Sequence, residues 1–157
     1  MAHIDIPVPL RWSDLDAYGH VNNAALLTLL EEARIHAFWE VPQEQLGGGT
    51  EQSPIVLPVS ADGRDLLTFV ASNRIEYLKP VEYRRDGAVV RLWISRLGGA
   101  SLTVDYTLHT PGRMDEALIR ARTVVVLVDS SGRPTRIDDD MRERLAPWMG
   151  EPLTFRD

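Results

Sequence analysis

The segment Ala24–Trp39 constrains the fold more than any other part of the chain. It is rich in Ala, Leu, Glu and Arg, contains neither Gly nor Pro, and stops before Pro42, which together favour one long helix. Its apolar residues are not confined to a narrow stripe. Leu26, Leu30, Ala33 and Ala37 form one line at helical spacing, and Leu27 and Leu29 widen it. A helix apolar over so much of its circumference has to be largely surrounded by other structure. The remainder of the chain offers strands rather than further long helices, so the simplest arrangement is a central helix wrapped by a sheet.

The strands follow from local patterning. Residues 6–12 read as a short first strand, with Pro7 and Pro9 restricting it to an edge or strand-start position because neither can donate to a ladder. Ser13 to Asn23 is polar and turn-prone. Gln43 to Asp65 is loop-rich, with Gly47–Gly49 inside it and a short strand expected over Pro54–Val59. Strands are then expected over Thr68–Lys79, Ala88–Arg96, Ser101–His109 and Leu118–Val128, with Gly98–Gly99 as a hairpin turn. Val124–Val128 is continuously apolar, which predicts burial of both its faces, one on the helix and the other under a second subunit. A short C-terminal helix is expected after Asp138–Asp140, which serve as cap and first-turn acids. The order strand, long helix, loops, four strands defines an α+β class with an antiparallel sheet packed on one helix. No repeat, low-complexity tract or linker divides the 157 residues, so residues 1–157 read as a single domain.

Composition removes several function classes. The chain has no cysteine, which excludes disulfides, thiolate metal sites and a cysteine nucleophile, and fits a cytoplasmic location. The four histidines, at 3, 20, 36 and 109, show no metal-ligand spacing, and no cofactor is expected. Seventeen basic and 23 acidic residues give a net charge of −6, unlike a nucleic-acid binder. No apolar run approaches the roughly 20 residues that span a bilayer, and the N-terminus has no signal-peptide pattern.

Chemistry concentrates just ahead of the long helix, in Asp14, Asp16, Gly19, His20, Asn22 and Asn23. The first N–H groups of a helix are unpaired and the dipole favours negative charge there, so such a place binds a carboxylate, a phosphate or a developing oxyanion. An isolated Asp in this position is more often a cap than a catalyst. Arg96, Arg85 and Lys79 stand near strand ends as candidates for ligand phosphates, although each alone reads as solvated surface charge. Trp12, Tyr18, Phe38 and Trp39 flank the segment and read equally well as pocket lining or as core.

The signature Asp14-x-Asp16-x-x-Gly19-His20-Val21-Asn22-Asn23, followed by Glu31-Glu32-Ala33-Arg34, closely resembles the hotdog-fold 4-hydroxybenzoyl-CoA thioesterase-like family, and within it the long-chain acyl-CoA branch. Ile75–Val81, Ser95–Ser101 and Ala121–Asp129 resemble the family's later strands in the same order. The resemblance implies a hotdog fold and hydrolysis of an acyl-CoA thioester to a free acid and CoA, at sites built between subunits of a homo-oligomer, a dimer or a dimer of dimers. It assigns the catalytic carboxylate to Asp16, as nucleophile or general base, and the oxyanion donor to the backbone N–H at about Asn23. His20 is a further catalytic candidate. Gly19, Val21, Asn22, Glu31 and Arg96 are candidates for binding substrate, and Glu31 is the reserve carboxylate. No metal is implied. Two other readings compete: a non-catalytic acyl-CoA-binding domain, and a hotdog dehydratase or hydratase using a His/acid pair.

Overall fold

The structure, a computed structural model, describes residues 3–38, 60, 61 and 64–157. The expected strand over 54–59, the glycines at 47–49 and Trp39 lie outside the described residues. The elements are β1 (Ile4–Val8), α1 (Asn23–Phe38), β2 (Ser60–Ala61), β3 (Arg64–Asp65), β4 (Leu67–Tyr77), β5 (Ala88–Leu97), β6 (Ser101–His109), β7 (Ile119–Val128) and α2 (Asp139–Leu145). Five of the strands form one antiparallel sheet in the order β1-β5-β6-β7-β4. β2 and β3 form a separate two-residue ladder.

The first strand is shorter than its expected range. It ends at Val8, and Trp12–Asp14 is a 3-10 turn. Pro9, which cannot donate to a ladder, follows the last paired residue. Pro7 is tolerated because β1 is an edge strand paired only with β5. The hairpin expected at Gly98–Gly99 is present, closed by the Gly98 N–H on Ser101 O at 2.7 Å.

The helix begins at Asn23 because Asn22 caps it. The Asn22 carbonyl accepts the first helical bond from Leu26 N–H (3.1 Å), and its side-chain Oδ1 accepts Ala24 N–H (2.8 Å). Leu26, Leu29, Leu30, Ala33, Ala37 and Phe38 are buried. They meet inward-facing Val90, Leu92 and Ile94 of β5, Leu102, Val104, Tyr106 and Leu108 of β6, and Ile119, Ala121 and Leu127 of β7 in one apolar cluster. Each buried Leu contributes about 1.5–3 kcal/mol, so this face holds helix and sheet together. Two expectations are corrected here. Leu27 and Ile35 are exposed, so described residues cover only one side of α1. Residues 119–128 alternate buried and half-buried, with Val125 and Leu127 inside and Val124, Val126 and Val128 on the outer face, rather than being buried on both.

The outer face carries a cross-strand polar row. Trp93 lies opposite Asp105, Asp105 opposite Arg122, and Arg122 opposite Arg74. The C-terminal segment crosses this row. After α2, which is capped by Asp138 and buries Met141 and Leu145, Gly150 N–H pairs with Ile94 O (2.9 Å). Trp93 Nε1–H then donates to Glu151 O (2.9 Å), Leu153 N–H to Asp105 Oδ2 (2.8 Å), Arg120 Nη1–H to Thr154 O (2.6 Å), and Arg156 N–H to Glu76 Oε2 (2.8 Å). Phe155 sits between the guanidiniums of Arg74 and Arg122, 4.7 and 4.9 Å from its ring centre. The tail is thus a strap tied to four successive strands. No helix among the described residues is long and apolar enough to cross a membrane.

Candidate active site

The loop between β1 and α1 is built around two carboxylates with different partners. Asp14 is buried and occupied: its Oδ2 accepts Arg11 N–H (2.8 Å) and its Oδ1 accepts Arg11 Nη2–H (2.8 Å), while its carbonyl accepts Asn22 N–H (2.7 Å). Those bonds to Arg11 hold the carboxyl below its ordinary value of 3.8. The stabilisation from this depressed carboxyl is complete above its unfolded-state value and is lost as pH falls through the folded one. Asp14→Ala is expected to cost about 1–3 kcal/mol at neutral pH, and less at pH 3 than at pH 7. Urea unfolding at the two pH values checks this; an equal loss at both would contradict a charge-based role.

Asp16 is only half-buried. Its Oδ1 accepts Tyr18 N–H (2.8 Å) and His20 N–H (3.2 Å), and its own N–H donates to His20 O (2.8 Å). These bonds close a tight turn in which Gly19 has φ +78°, the left-handed conformation that favours glycine. The link between Asp16 and His20 therefore runs through the His20 backbone, not its ring. None of the hydrogen bonds among the described residues uses Asp16 Oδ2.

Two open clefts meet at Asp16 and His20. One, of about 620 Å³, is lined by Trp12, Leu15, Tyr18, Glu82 and Tyr83. The other, of about 320 Å³, is lined by Asn23, Val21, Leu26, Tyr77, Leu78 and Val81 on the helix side. Val21 is anchored by its N–H on Val81 O (2.7 Å), which draws the loop to the segment after β4. Asn22 and its neighbour cap Ala24 N–H, so the side chains serve as caps. None of the hydrogen bonds among the described residues uses the Asn23 N–H, which stands at the helix start beside the second cleft.

Glu31 and Arg96 are not gathered here, whereas Lys79 lines the helix-side cleft and Trp12 and Tyr18 line the other. Glu31 is exposed (side chain 60%), with Arg34 at 3.8 Å, and lines neither cleft. The reserve carboxylate therefore stands on the exposed side of α1, away from the sheet. Arg96 is exposed near the β5–β6 hairpin, whereas the β5 end nearest Val81 and Glu82 is Ala88. Eight residues of strand separate the two, roughly 25 Å. Lys79 is paired with Glu116 at 2.6 Å. Phe38 is core, but Trp12 (76% exposed) and Tyr18 (85%) are not. Sequence reasoning missed Tyr77 as a site residue. Its hydroxyl donates to Asn23 O at 2.9 Å and its ring walls the helix-side cleft. The period-2 alternation of β4 places Ile75 and Tyr77 on one face, a signal that was legible but pointed to no chemistry. Among the described residues, no three His, Cys, Asp or Glu side chains cluster as a metal site.

The comparisons with known proteins converge on this architecture. A family model described as the thioesterase-like superfamily matches residues 10–145, and the chain belongs to that family. The sheet and helix are those of the hotdog thioesterases. The PA5185 protein of Pseudomonas aeruginosa strain PAO1 is similar over 98% of this chain and 94% of its own, at 26% identity and TM-score 0.70. A Thermus thermophilus thioesterase, solved with coenzyme A and zinc, is similar over 94% and 95%, at 27% identity and TM-score 0.68. The Bacillus subtilis (strain 168) protein YsmA, named as uncharacterized, shares 26% identity over 140 residues, 88% of this chain and 82% of its own.

Proposed function

We propose that residues 1–157 form one thioesterase unit that hydrolyses an acyl-CoA thioester to a free acid and CoA. The observation that carries this reading is the junction of the two clefts. Asp16, whose Oδ2 enters none of the hydrogen bonds among the described residues, and Asn23, whose N–H stands at the helix start, both line the helix-side cleft. A thioester carbonyl there meets an attacking group on one side and an oxyanion donor on the other. Asp16 Oδ2 attacks the carbonyl carbon or takes a proton from the attacking water. Either way negative charge develops on the carbonyl oxygen, where the Asn23 N–H and the helix dipole stabilise it. The carbon–sulfur bond then breaks, and CoA leaves as a thiolate, a good leaving group; where water attacked, the free acid forms directly, and where Asp16 attacked, water then hydrolyses the acyl-Asp16 anhydride to the free acid and restores the carboxylate. The similar Thermus thermophilus protein with bound coenzyme A supports a CoA ester as substrate. A dehydratase would need an acid/His pair, and the Asp16–His20 link through backbone does not favour it. Thiol release from short, long, aliphatic and aromatic acyl-CoAs tests the reading; no release from any of them would refute it.

The same reading includes a homodimer. β4, with 11 residues the longest strand, ends the sheet, and among the described residues nothing pairs with its outer edge. Phe69 is 61% exposed, and Leu67, Val70 and Tyr77 are exposed too. A long, apolar, unpaired edge is a template for another strand, and a second copy of β4 continues the sheet. Light scattering in solution should give a mass of twice 17.6 kDa, and Val70→Lys should lower it. A wild-type monomer at about 50 μM would sink the dimer.

A further inference from the structure

Trp12 and Tyr18 are the two most exposed large apolar side chains among the described residues, and they flank the same cleft beside Asp16. Exposed aromatics gathered at a concave site mark binding. The Trp12 ring is also held in place. Trp12 sits in the 3-10 turn, edge-on to Tyr83, with ring centres 5.3 Å apart and planes at 81°. The Tyr18 backbone is fixed by its N–H on Asp16 Oδ1. Rigid aromatic surfaces lose little conformational entropy on binding.

The two clefts differ in chemistry. The helix-side cleft is walled mainly by Val21, Leu26, Leu78 and Val81, with a cation of its lining, Lys79, neutralised by Glu116, and suits an alkyl or aryl group. The outer cleft combines aromatic faces with the Glu82 carboxylate and the polar backbone of the Asp16–His20 turn. That mixture suits an amphipathic chain with amide groups, whose planes lie on aromatic rings and whose N–H groups need acceptors. Because Asp16 and His20 border both clefts, a thioester placed at Asp16 can send one arm into each.

We propose that the Trp12–Tyr18–Tyr83 cleft binds the pantetheine arm of the thioester, leaving the acyl group in the cleft of Leu26 and Tyr77. This rests on the thioesterase reading above and adds which residues hold which arm. The arm is common to CoA and carrier-protein thioesters, so recognition there is indifferent to the nucleotide.

The test compares three thioesters of one acid: acyl-CoA, acyl-pantetheine and the plain S-ethyl thioester, which has no amide arm. Each is assayed with wild type, Trp12→Ala, Tyr18→Ala and Trp12→Phe. Both truncated side chains are exposed, so the core is untouched. The ratio of kcat/KM for acyl-pantetheine over the ethyl thioester should fall about tenfold in each alanine variant, mainly through KM, and Trp12→Phe should restore most of it. Acyl-CoA should follow acyl-pantetheine. An unchanged ratio overturns the proposal. So does an equal fall for all three substrates, which would put the acyl group in this cleft. A fall for acyl-CoA alone would mean a nucleotide platform, and a change of mass in light scattering would mean a subunit contact; both overturn it. Wild type inactive on every thioester defeats the parent reading instead, and this one with it.

Discussion

Asp16→Asn should lower kcat for the best acyl-CoA substrate by about a hundredfold or more, with KM little changed. The substitution separates the two jobs of this side chain. Asp16 Oδ1 holds the turn by accepting Tyr18 and His20 N–H, and an asparagine oxygen accepts the same bonds. What is lost is the charge on the second oxygen, which in the proposed mechanism carries the attack or the proton transfer. The proposed oxyanion donor at Asn23 remains, so some rate above the uncatalysed reaction should survive. Equal turnover by variant and wild type would remove Asp16 from the mechanism. Glu31, the reserve carboxylate, would not simply replace it, because it lines neither cleft. If neither protein releases thiol yet both bind CoA esters, the chain is an acyl-CoA-binding module.

Asp105→Ala should destabilise the fold by about 3 kcal/mol, a Tm drop of roughly 6–12 °C for a chain of this size. Asp105 is completely buried on the outer face (0% exposed), where a carboxylate survives only with full compensation. It has that compensation in Arg122 Nε–H (2.7 Å), Arg122 Nη2–H (2.8 Å) and Leu153 N–H (2.8 Å). Removing it leaves a half-buried guanidinium and a backbone donor without their anion, and unties the middle of the C-terminal strap. The tail beyond Gly150 should then become sensitive to trypsin at Arg156 while the sheet stays intact. Differential scanning calorimetry and limited proteolysis read the two effects. A Tm within about 2 °C of wild type would show that the strap does not depend on this ion pair.

Much of the fold was legible. The start of the long helix was placed to within a residue, because it depends on Asn22 and Asn23, and its body was legible from local propensity. The strands and the Gly98 hairpin were legible because alternation and turn residues act over a few positions. The placement of Asp16, Gly19, His20 and Asn23 around one junction was equally accessible, since these residues lie within one short loop.

What failed was whatever depends on neighbours far along the chain. Val124–Val128 is apolar at every position, yet its two faces meet different partners, and periodicity cannot show which face the C-terminal segment leaves half-covered. Glu31 follows the Asp14–Asn23 signature on the same helix, but only the sheet's position shows that it lies away from the clefts. Arg96 was a candidate because it stands near a strand end, and only the strand register shows that this is the end away from Val81 and Glu82.

By itself, the sequence determined the helix with its cap, the alternating strands, the turn that holds Asp16, and membership of the thioesterase-like superfamily through an ordered set of motifs. Tertiary structure alone decided that Trp12 and Tyr18 stand in solvent beside the carboxylate, that Tyr77 reaches Asn23 across 54 residues, and that the tail ties down four strands. The physical reason is range. Capping, propensity and alternation are set by residues a few positions apart. Exposure and cross-strand pairing are set by which distant segments win the competition to cover the same apolar face.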